Sequence, residues 1–476
     1  MRRQTPIIRA LATLTAVFLL TLGALPAAQQ AAVDGAVSAV MQRDQVPAIS
    51  IGIARNGRML YERGYGYRDL PGKVPADAGT IYEIGSITKQ FTAVMILQLL
   101  HEGKLSLDDP VAKYVANYPS AARVTLRQLL SQVSGIPDYT QQADFLSYAD
   151  QDLTPAQIVA KVASLPLDFA PASKWEYSNT NYVLLGMVIE KITGRSYAEA
   201  LRTRLLNPLH LTSTTYTDLV ATVADRAFGY SWYDKYSVLA RPSSMTIPFS
   251  AGALSSNAAD LIAWDTALFS DRILPPDLTT LMMTPGSLSD GTPIDYGFGL
   301  QLTRVYGRLG VMHSGGIFGF SSFNIVFPET KLQIVILGNS DSFVSAEALA
   351  KSIAAIVEPP SDRQLEATRF RPAQNEDPKI TSALKMLLLQ IQTGTITRAA
   401  FDTAFNTAVT DPQLAAAQRY ISSLGTPKLI EFAEKRIVAG LPVYKYRIAY
   451  TSARVFVFFG YDADGKISTL LMQPAD

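Results

Sequence analysis

Residues 84–100, which read IGSITKQFTAVMILQLL, form the stretch around which the fold is organised. From Ile87 to Leu100 this stretch is apolar on every side of a helical projection, which is too hydrophobic for a surface helix. The pattern therefore predicts a helix buried within its domain. Lys89 is the only formal charge between Glu83 and Glu102, and it lies one turn inside the predicted helix.

Ser86 lies three residues before Lys89, so the two side chains are expected on one face of the helix start. Burial lowers the pKa of a lysine from about 10.4 toward neutrality, and a neutral amine beside a hydroxyl is a base beside a nucleophile. The spacing alone is weakly specific, because Ser-x-x-Lys occurs about once by chance in a chain of this size and serine is a common N-cap. A buried, unpaired lysine is costly without a role, which favours a catalytic pair.

The N-terminus has the pattern of a targeting segment. Three arginines precede an apolar run from Ala10 to Leu25, and the small residues Pro26-Ala27-Ala28 follow. We interpret residues 1–28 as a secretory signal peptide, cleaved between Ala27 and Ala32, which predicts a secreted or periplasmic protein. No later segment is long and apolar enough for a stable membrane span.

The composition excludes several classes of partner. The chain contains no cysteine, so disulfides and thiolate metal sites are excluded. Subtracting the three signal-peptide arginines from the net charge of +1 leaves −2 (1 − 3). A chain with so little net charge lacks the excess of basic residues that is typical of nucleic-acid-binding proteins. The only histidines, His101, His210 and His313, lack metal-binding spacing, so we expect no metal and no cofactor. The expected partner is a small-molecule or peptide substrate, and the oligomeric state is left open.

Strands are predicted near both ends of the first 360 residues. Asn56-Gly57 joins strands at 47–54 and 58–67 in a hairpin, and four strands separated by turns follow between 297 and 337. Helices are predicted between these two groups. We therefore expect an α+β fold with the appearance of an α/β sandwich: an antiparallel sheet flanked by helices, with an all-helical region.

A boundary rich in proline and charge is predicted at residues 358–377, after a domain that covers 33–357. Beyond it, residues 378–476 read as helices followed by four strands. This pattern predicts a small C-terminal α+β domain, in which we find no pairing of a nucleophile with a base.

Two further segments contain candidate chemistry. Tyr177 and Asn179 offer a phenol for proton transfer and an amide for substrate binding, although an ordinary helix-capping loop is the better interpretation of this segment in isolation. The segment His313-Ser314-Gly315-Gly316 lies on a predicted strand whose glycines would let a ligand approach the backbone, although a strand ending in a Gly-Gly turn is the simpler interpretation of this segment alone.

The order of the three motifs resolves these alternatives. Ser86-Ile87-Thr88-Lys89, then Tyr177-Ser178-Asn179, then His313-Ser314-Gly315 resembles the class C β-lactamases and related penicillin-recognising serine hydrolases. The flanking segments IYEIGSITKQFTAV, KLSLDDPVAKYV, LLSQVSGIPDY and AGALSSNAADLIAW are similar as well. The resemblance covers residues 33–357 and implies a fold like that of β-lactamases and transpeptidases.

The first two motifs have defined roles in this family. The resemblance implies that Ser86 is the acylated nucleophile and that Lys89 and Tyr177 are the general base and acid. The phenol of Tyr177, near Lys89, is expected to have a lowered pKa. Asn179 would bind a side-chain amide of the substrate.

The third motif departs from the usual pattern. Here His313, with Ser314 and Gly315, would bind substrate in place of the Lys-Thr-Gly common in class C β-lactamases. The backbone N–H groups of Ser86 and Gly316 would form the oxyanion hole. Replacing lysine by histidine weakens the permanent positive charge for a substrate carboxylate, which argues against strong β-lactamase activity.

We therefore expect an exported serine hydrolase acting on a small amide or ester, of the type of D-alanyl-D-alanine carboxypeptidases or β-lactam-recognising enzymes. The alternatives are a short-chain carboxylesterase of the same family, and a penicillin-sensing or interaction protein with little turnover. An α/β-hydrolase is excluded because the chain has no Gly-x-Ser-x-Gly elbow.

Overall fold

The computed structural model describes residues 23–217, 225–233, 236–361, 364, 372–374, 376–409, 411–438, 441–451 and 453–474. Residues 1–22, the greater part of the predicted signal peptide, lie outside these ranges. The chain forms two compact units, residues 1–367 and 368–476, each of which is described by itself.

The first unit alternates between helices and strands. Its helices are α1 (Ala27–Asp44), α2 (Thr88–His101), α3 (Leu126–Leu130), α4 (Pro155–Ala160), α5 (Asn179–Thr193), α6 (Tyr197–Leu201), α7 (Asn207–Leu209), α8 (Phe249–Gly252), α9 (Ala258–Leu268), α10 (Pro276–Met283) and α11 (Ala346–Val357). Its strands are β1 (Ala48–Arg55), β2 (Arg58–Asp69), β3 (Val74–Pro75), β4 (Tyr82–Glu83), β5 (Thr215–Tyr216), β6 (Tyr230–Tyr233), β7 (Tyr236–Leu239), β8 (Leu254–Ser256), β9 (Gln301–Val305), β10 (Arg308–Ile317), β11 (Phe320–Phe327) and β12 (Leu332–Gly338).

The main sheet combines the two ends of this unit. Its seven strands have the order β3-β2-β1-β12-β11-β10-β9, and every neighbouring pair is antiparallel. The hairpin at Asn56-Gly57 joins β1 to β2, and β1 pairs with β12 in the register that places Ile51 opposite Ile336. The predicted antiparallel sheet flanked by helices is confirmed.

Helices cover both faces of the sheet, which is why β1 and β12 are almost continuously apolar. On one face, β1 and β12 pack in one apolar cluster with α1 and α11 (Val33, Val37, Ile49, Ile51, Ile334, Ile336, Leu349, Ile353). On the other face, the backbone of Gly52 approaches α9 so closely that a Cβ there would lie 3.2 Å from the Cβ of Ala258. The sheet is therefore the middle layer of a sandwich.

Helix α1 begins at Ala27, close to the end of the predicted signal peptide. Pro26 precedes its first turn, and Gln29 donates a side-chain hydrogen bond to the carbonyl of Ile356 at 2.9 Å. Val33 is fully buried, so packing against the unit, which the local sequence does not reveal, extends the helix toward the N-terminus.

Helix α2 lies in the core of the helical region, as its apolar sequence predicts. All of its residues from Thr88 to Leu97 are buried. Phe91 stacks on Trp264 of α9 with ring centroids 3.7 Å apart. The helix is therefore held on all sides, and the atoms at its N-terminus have fixed positions.

The second unit is a small α+β structure. The strands β13 (Leu429–Val438), β14 (Leu441–Ala449), β15 (Arg454–Tyr461) and β16 (Ile467–Pro474) form an antiparallel sheet in sequence order. In the described part of this unit, the α-helices Pro378–Thr393, Thr403–Ala408 and Asp411–Leu424 precede the sheet. The unit has its own apolar core, which includes Leu384, Leu387, Ile391, Phe401, Ile448, Val455 and Val457. The predicted C-terminal α+β domain is thus present.

The described residues contain neither a membrane-spanning helix nor a cluster of metal-binding side chains. None of their helices has the length and hydropathy needed to cross a lipid bilayer. Within the same part of the chain, no group of three or more His, Cys, Asp or Glu side chains could hold a metal ion.

Candidate active site

Ser86 is presented by a turn that the core holds in place. It lies in a 3₁₀ turn, Gly85–Ile87, that continues into α2. Every residue from Thr80 to Leu97 is buried except Ser86, which is partly exposed. Gly85 has a φ of +49°, and a Cβ on it would lie 2.9 Å from the backbone nitrogen of Gly316. The hydroxyl is therefore accessible on an otherwise rigid segment.

Lys89 is fully buried one turn further along, with its amine beside this hydroxyl. Its Nζ lies 3.0 Å from Ser86 Oγ, 2.8 Å from Asn179 Oδ1 and 2.8 Å from the carbonyl oxygen of Ala251. Burial lowers the pKa of Lys89 to about 7, against a smaller opposing effect of the Asp138 carboxylate. A large fraction of the amine is therefore neutral at physiological pH.

The three contacts of Lys89 orient its lone pair. The oxygens of Asn179 and Ala251 are carbonyl acceptors, so each takes one N–H of the amine. A neutral amine has only two N–H bonds, which leaves the lone pair directed at the Ser86 hydroxyl. In this state Ser86 donates its hydrogen bond to Lys89, as a general base requires.

Asn179 has a different set of contacts from the one expected of a substrate ligand. Its oxygen accepts from Lys89, while its nitrogen donates to Asp138 Oδ2 at 3.0 Å and lies 3.4 Å from Thr140 Oγ1. Asn179 is the first residue of α5, which begins three residues before the predicted start at Tyr182. The side chain therefore orients the base, and its remaining capacity to bind substrate is small.

Tyr177 lies against Lys89, but its pKa shifts in the direction opposite to the expected one. Lys89 Nζ lies 4.7 Å from the centre of the Tyr177 ring, over its face. Burial raises the pKa of Tyr177 well above 10, and the neighbouring Ser86 hydroxyl opposes this shift only in part. The phenol makes no hydrogen bond of acceptable geometry to any described residue. It is therefore protonated and can donate a hydrogen bond or relay a proton that it receives from another group, but its raised pKa makes it a weaker acid than a free phenol.

The loop before α5 is held by residues that sequence reasoning did not single out. Gln132 Oε1 accepts from the backbone N–H of Ser178 at 3.1 Å and from Asn181 Nδ2 at 2.6 Å. Ser134 donates to Asn181 Oδ1 at 2.6 Å. Gln132, Ser134 and Asp138 all belong to the flanking segment LLSQVSGIPDY, which was a usable signal.

His313 is buried and neutral, which removes the charge expected at the third motif. Its side chain is only 2% exposed, and burial lowers its pKa to about 3, with the positive charge of Lys89 acting in the same direction. Nδ1 lies 2.6 Å from the carbonyl of Ser314, so Nδ1 donates and Nε2 accepts from the Tyr296 hydroxyl at 3.2 Å. Since both ring nitrogens are engaged inside the protein, His313 is poorly placed to pair with a carboxylate.

The remainder of the third motif forms a strand edge beside Ser86. β9 pairs with β10 only from Arg308 to Met312, so β9 does not cover that edge beyond Met312. Gly315 is buried, and a Cβ on it would overlap the carbonyl oxygen of Ile84. Ser314 and Gly316 are exposed, and a Cβ on Gly316 would meet open space. The absence of a side chain at Gly315 therefore lets the segment that contains Ser86 pack against β10, whereas Gly316 lies beside open space.

A cavity of about 400 Å³ opens beside the nucleophile. Of the predicted site residues, Ser86, Asn179 and Gly316 line it, whereas Lys89, Tyr177, His313, Ser314 and Gly315 do not. The sequence analysis did not predict most of its wall, which is mainly apolar and aromatic, although Tyr139 belongs to the flanking segment LLSQVSGIPDY. These described lining residues include Tyr139, Phe145, Ile247, Pro248, Phe318, Phe320 and Asp341.

Comparison with known proteins gives concordant results. A family model described as Beta-lactamase matches residues 33–358. The chain is 30% identical over 322 residues to Protein flp of Staphylococcus aureus (strain COL), covering 66% of this chain and 64% of that protein. It is 28% identical over 341 residues to a D-aminopeptidase of Gluconobacter oxydans (strain 621H), covering 70% of this chain and 64% of that enzyme. The chain thus spans less than two thirds of the length of these curated relatives.

A solved structure supports the same assignment. The crystal structure of a D-stereospecific amidohydrolase from Streptomyces sp. superposes with a TM-score of 0.60 at 32% sequence identity. The superposition covers 70% of this chain and 99% of that one. Similarity therefore extends through a complete hydrolase domain.

Proposed function

Because the chain belongs to the β-lactamase family of serine hydrolases, we propose that it hydrolyses a small amide or ester through an acyl-enzyme on Ser86. The single observation that supports this most strongly is the contact of 3.0 Å between Lys89 Nζ and Ser86 Oγ. The amine is buried, has a pKa of about 7 and is oriented by two carbonyl acceptors. A purely structural lysine would also be hydrogen-bonded, but it would not need to lie beside the partly exposed hydroxyl of Ser86.

The proposed reaction has two steps, acylation of Ser86 and hydrolysis of the acyl-enzyme. Ser86 Oγ attacks the substrate carbonyl carbon as its proton passes to the neutral Lys89 amine. The carbonyl oxygen becomes an oxyanion, which the backbone N–H groups of Ser86 and Gly316 would stabilise. The intermediate collapses and expels the amine or alcohol, which takes up the proton of the Lys89 ammonium, directly or through Tyr177, so that the Lys89 amine is neutral again. Water then hydrolyses the ester, releases the carboxylic acid and restores Ser86.

The neutral His313 affects the choice of substrate. A neutral imidazole offers no positive charge to a substrate carboxylate. We therefore rank amides and esters that lack a carboxylate ahead of D-alanyl-D-alanine peptides and penicillins. Similarity to a D-aminopeptidase and to a D-stereospecific amidohydrolase supports the amide as the scissile bond and D-configured amino acid derivatives as the substrate class.

Hydrolysis of four substrates, measured side by side, tests this proposal. The substrates are D-alanine p-nitroanilide, p-nitrophenyl butyrate, nitrocefin and a peptide ending in D-alanyl-D-alanine. We expect hydrolysis of the anilide or the ester by the wild type and none by Ser86→Ala. Fast nitrocefin hydrolysis would overturn the ranking, and acylation of Ser86 without turnover of any substrate would indicate a sensor.

We also propose that the protein is exported. The support is the sequence of residues 1–28, with three arginines, an apolar run and a small-residue segment. Expression of the full chain in a bacterial host, followed by N-terminal sequencing of the envelope fraction, tests this proposal. A protein that begins between residues 28 and 33 is expected, and an uncleaved cytoplasmic protein would contradict it.

A further inference from the structure

The described wall of the cavity beside Ser86 contains an acidic side chain and no basic one. Among its described lining residues, Asp341 is the single side chain that is charged at neutral pH, and none is Lys, Arg or His. The rest of the wall is apolar, hydroxyl or amide in character. Any charged group of a bound substrate would therefore meet a negative partner and no positive one.

Asp341 is fixed to the wall by one of its two oxygens. Oδ2 accepts from Ser231 Oγ at 2.5 Å and from the backbone N–H of Gly319 at 3.3 Å. Within the part of the chain that the structure describes, Oδ1 has no hydrogen-bond partner and the carboxylate is in no ion pair. The residue is exposed, so an incoming cation would not have to be fully desolvated. The carboxylate is thus held in position with one oxygen available.

The nearest alternatives for anion binding are neutralised or occupied. Lys89 is fully buried behind Ser86 and does not line the cavity, and its pKa of about 7 leaves only part of the amine charged at neutral pH, while His313 is neutral inside the protein. Two arginines line a neighbouring cavity: Arg226 is ion-paired with Glu83, and Arg241 lies 3.9 Å from the Asp150 carboxylate. A substrate carboxylate in the main cavity would therefore be repelled by Asp341 without compensation.

We propose that Asp341 is a specificity-determining residue that selects substrates with a free ammonium group and rejects those with a free carboxylate. The substrate class is then an amide or ester of an amino acid or short peptide with an unblocked amino group. This inference rests on the proposed hydrolysis at Ser86. The ammonium group binds Asp341 in both the ground state and the transition state, so the effect falls on KM more than on kcat.

Two substrates that differ at the amino group, one with the charge and one without it, test the proposal on the full chain. D-Alanine p-nitroanilide has the ammonium, and N-acetyl-D-alanine p-nitroanilide lacks it. The measured quantity is the ratio of their kcat/KM values, compared between proteins so that intrinsic reactivity cancels. We expect Asp341→Asn to lower this ratio on the order of fivefold, as loss of an exposed ion pair does, mainly through KM of the charged substrate.

Asp271→Asn is the matched control, because it removes the same charge from an exposed position outside this cavity. It should leave the ratio unchanged. A ratio in Asp341→Asn equal to that of the wild type would overturn the role of Asp341. If neither anilide is hydrolysed, binding is measured instead as the concentration of each compound that halves the rate at which a fluorophosphonate labels Ser86. The ratio of these two concentrations is then compared between the proteins.

Labelling by the fluorophosphonate also separates the two proposals. Equal labelling of Ser86 in wild type, Asp341→Asn and Asp271→Asn shows that all three active sites are folded. If the wild type is not labelled at Ser86, the proposed hydrolase function fails. If it is labelled and the ratio does not change, only the assignment of Asp341 fails.

Discussion

The side-chain oxygen of Asn179 accepts a hydrogen bond from Lys89 Nζ at 2.8 Å, so the amide of the second motif is bound to the base of the first. The same amide donates through its nitrogen to Asp138 at 3.0 Å. A carboxylate, an amide and an amine thus form one hydrogen-bonded chain that ends at the nucleophile. This series of hydrogen bonds explains how the fully buried Lys89 is held with its lone pair toward Ser86.

The first prediction concerns the pH dependence of acylation. Only neutral Lys89 can accept the serine proton, and its pKa is about 7. The rate at which a fluorophosphonate labels Ser86 should rise about tenfold per pH unit below pH 7 and become flat above it. His313, with a pKa of about 3, should add no inflection between pH 4 and 8. A rate that falls as the pH increases from 5 to 8 would contradict the assignment of the base.

The second prediction concerns Asp138, whose negative charge raises the pKa of Lys89. Asp138→Asn removes this charge while keeping an oxygen that can accept from Asn179. The inflection in the labelling profile should therefore move to lower pH than in the wild type. Asp144→Asn, an exposed acidic residue nearby in sequence, is the control and should leave the inflection in place. An unchanged or raised inflection in Asp138→Asn would refute the electrostatic coupling.

The third prediction compares adjacent glycines. Gly315→Ala places a methyl group into the carbonyl of Ile84, so we expect a loss of about 1–3 kcal/mol in the free energy of unfolding and a displaced Ser86. Gly316→Ala points its methyl group into open space, and the free energy of unfolding should change little. Chemical denaturation of both variants measures the difference. Equal stabilities would show that the close approach of Gly315 to Ile84 is not required.

The fourth prediction concerns the second unit. Because it has its own apolar core and all three motifs lie before residue 317, a protein truncated after Pro360 should remain soluble and retain labelling of Ser86 within about twofold of the full chain. Circular dichroism of the truncated protein shows whether it is folded. A folded but unreactive truncated protein would show that residues 361–476 contribute to the active site.

Much of this arrangement is predictable from local sequence. The lone lysine in an apolar helix marks Ser86 and Lys89, and the strand patterns at both ends of the unit predict the antiparallel sheet, because hydrophobic burial determines both patterns. Motif order adds Tyr177 and Asn179 to the candidate residues.

Other features depend on contacts between segments distant in the chain. The burial of His313 depends on its packing beside Tyr296, and the rise in the pKa of Tyr177 depends on how completely it is desolvated. Neither the burial of His313 nor the pKa shift of Tyr177 can be inferred from a sequence motif. Asp341 lies in a polar loop with no distinctive spacing, and only the folded chain brings it to the cavity that contains Ser86.

The most direct test of the account is the site and rate of acylation. The full chain is incubated with a fluorophosphonate at pH 8, and the adduct is located by intact mass and peptide mapping. We predict one adduct, on Ser86, that is absent in Ser86→Ala. Labelling should be about 10²–10⁴-fold slower in Lys89→Met, the loss expected for a general base, and unchanged in the surface control Lys104→Met. An adduct on another residue, or a wild-type rate in Lys89→Met, would contradict the proposed nucleophile and base.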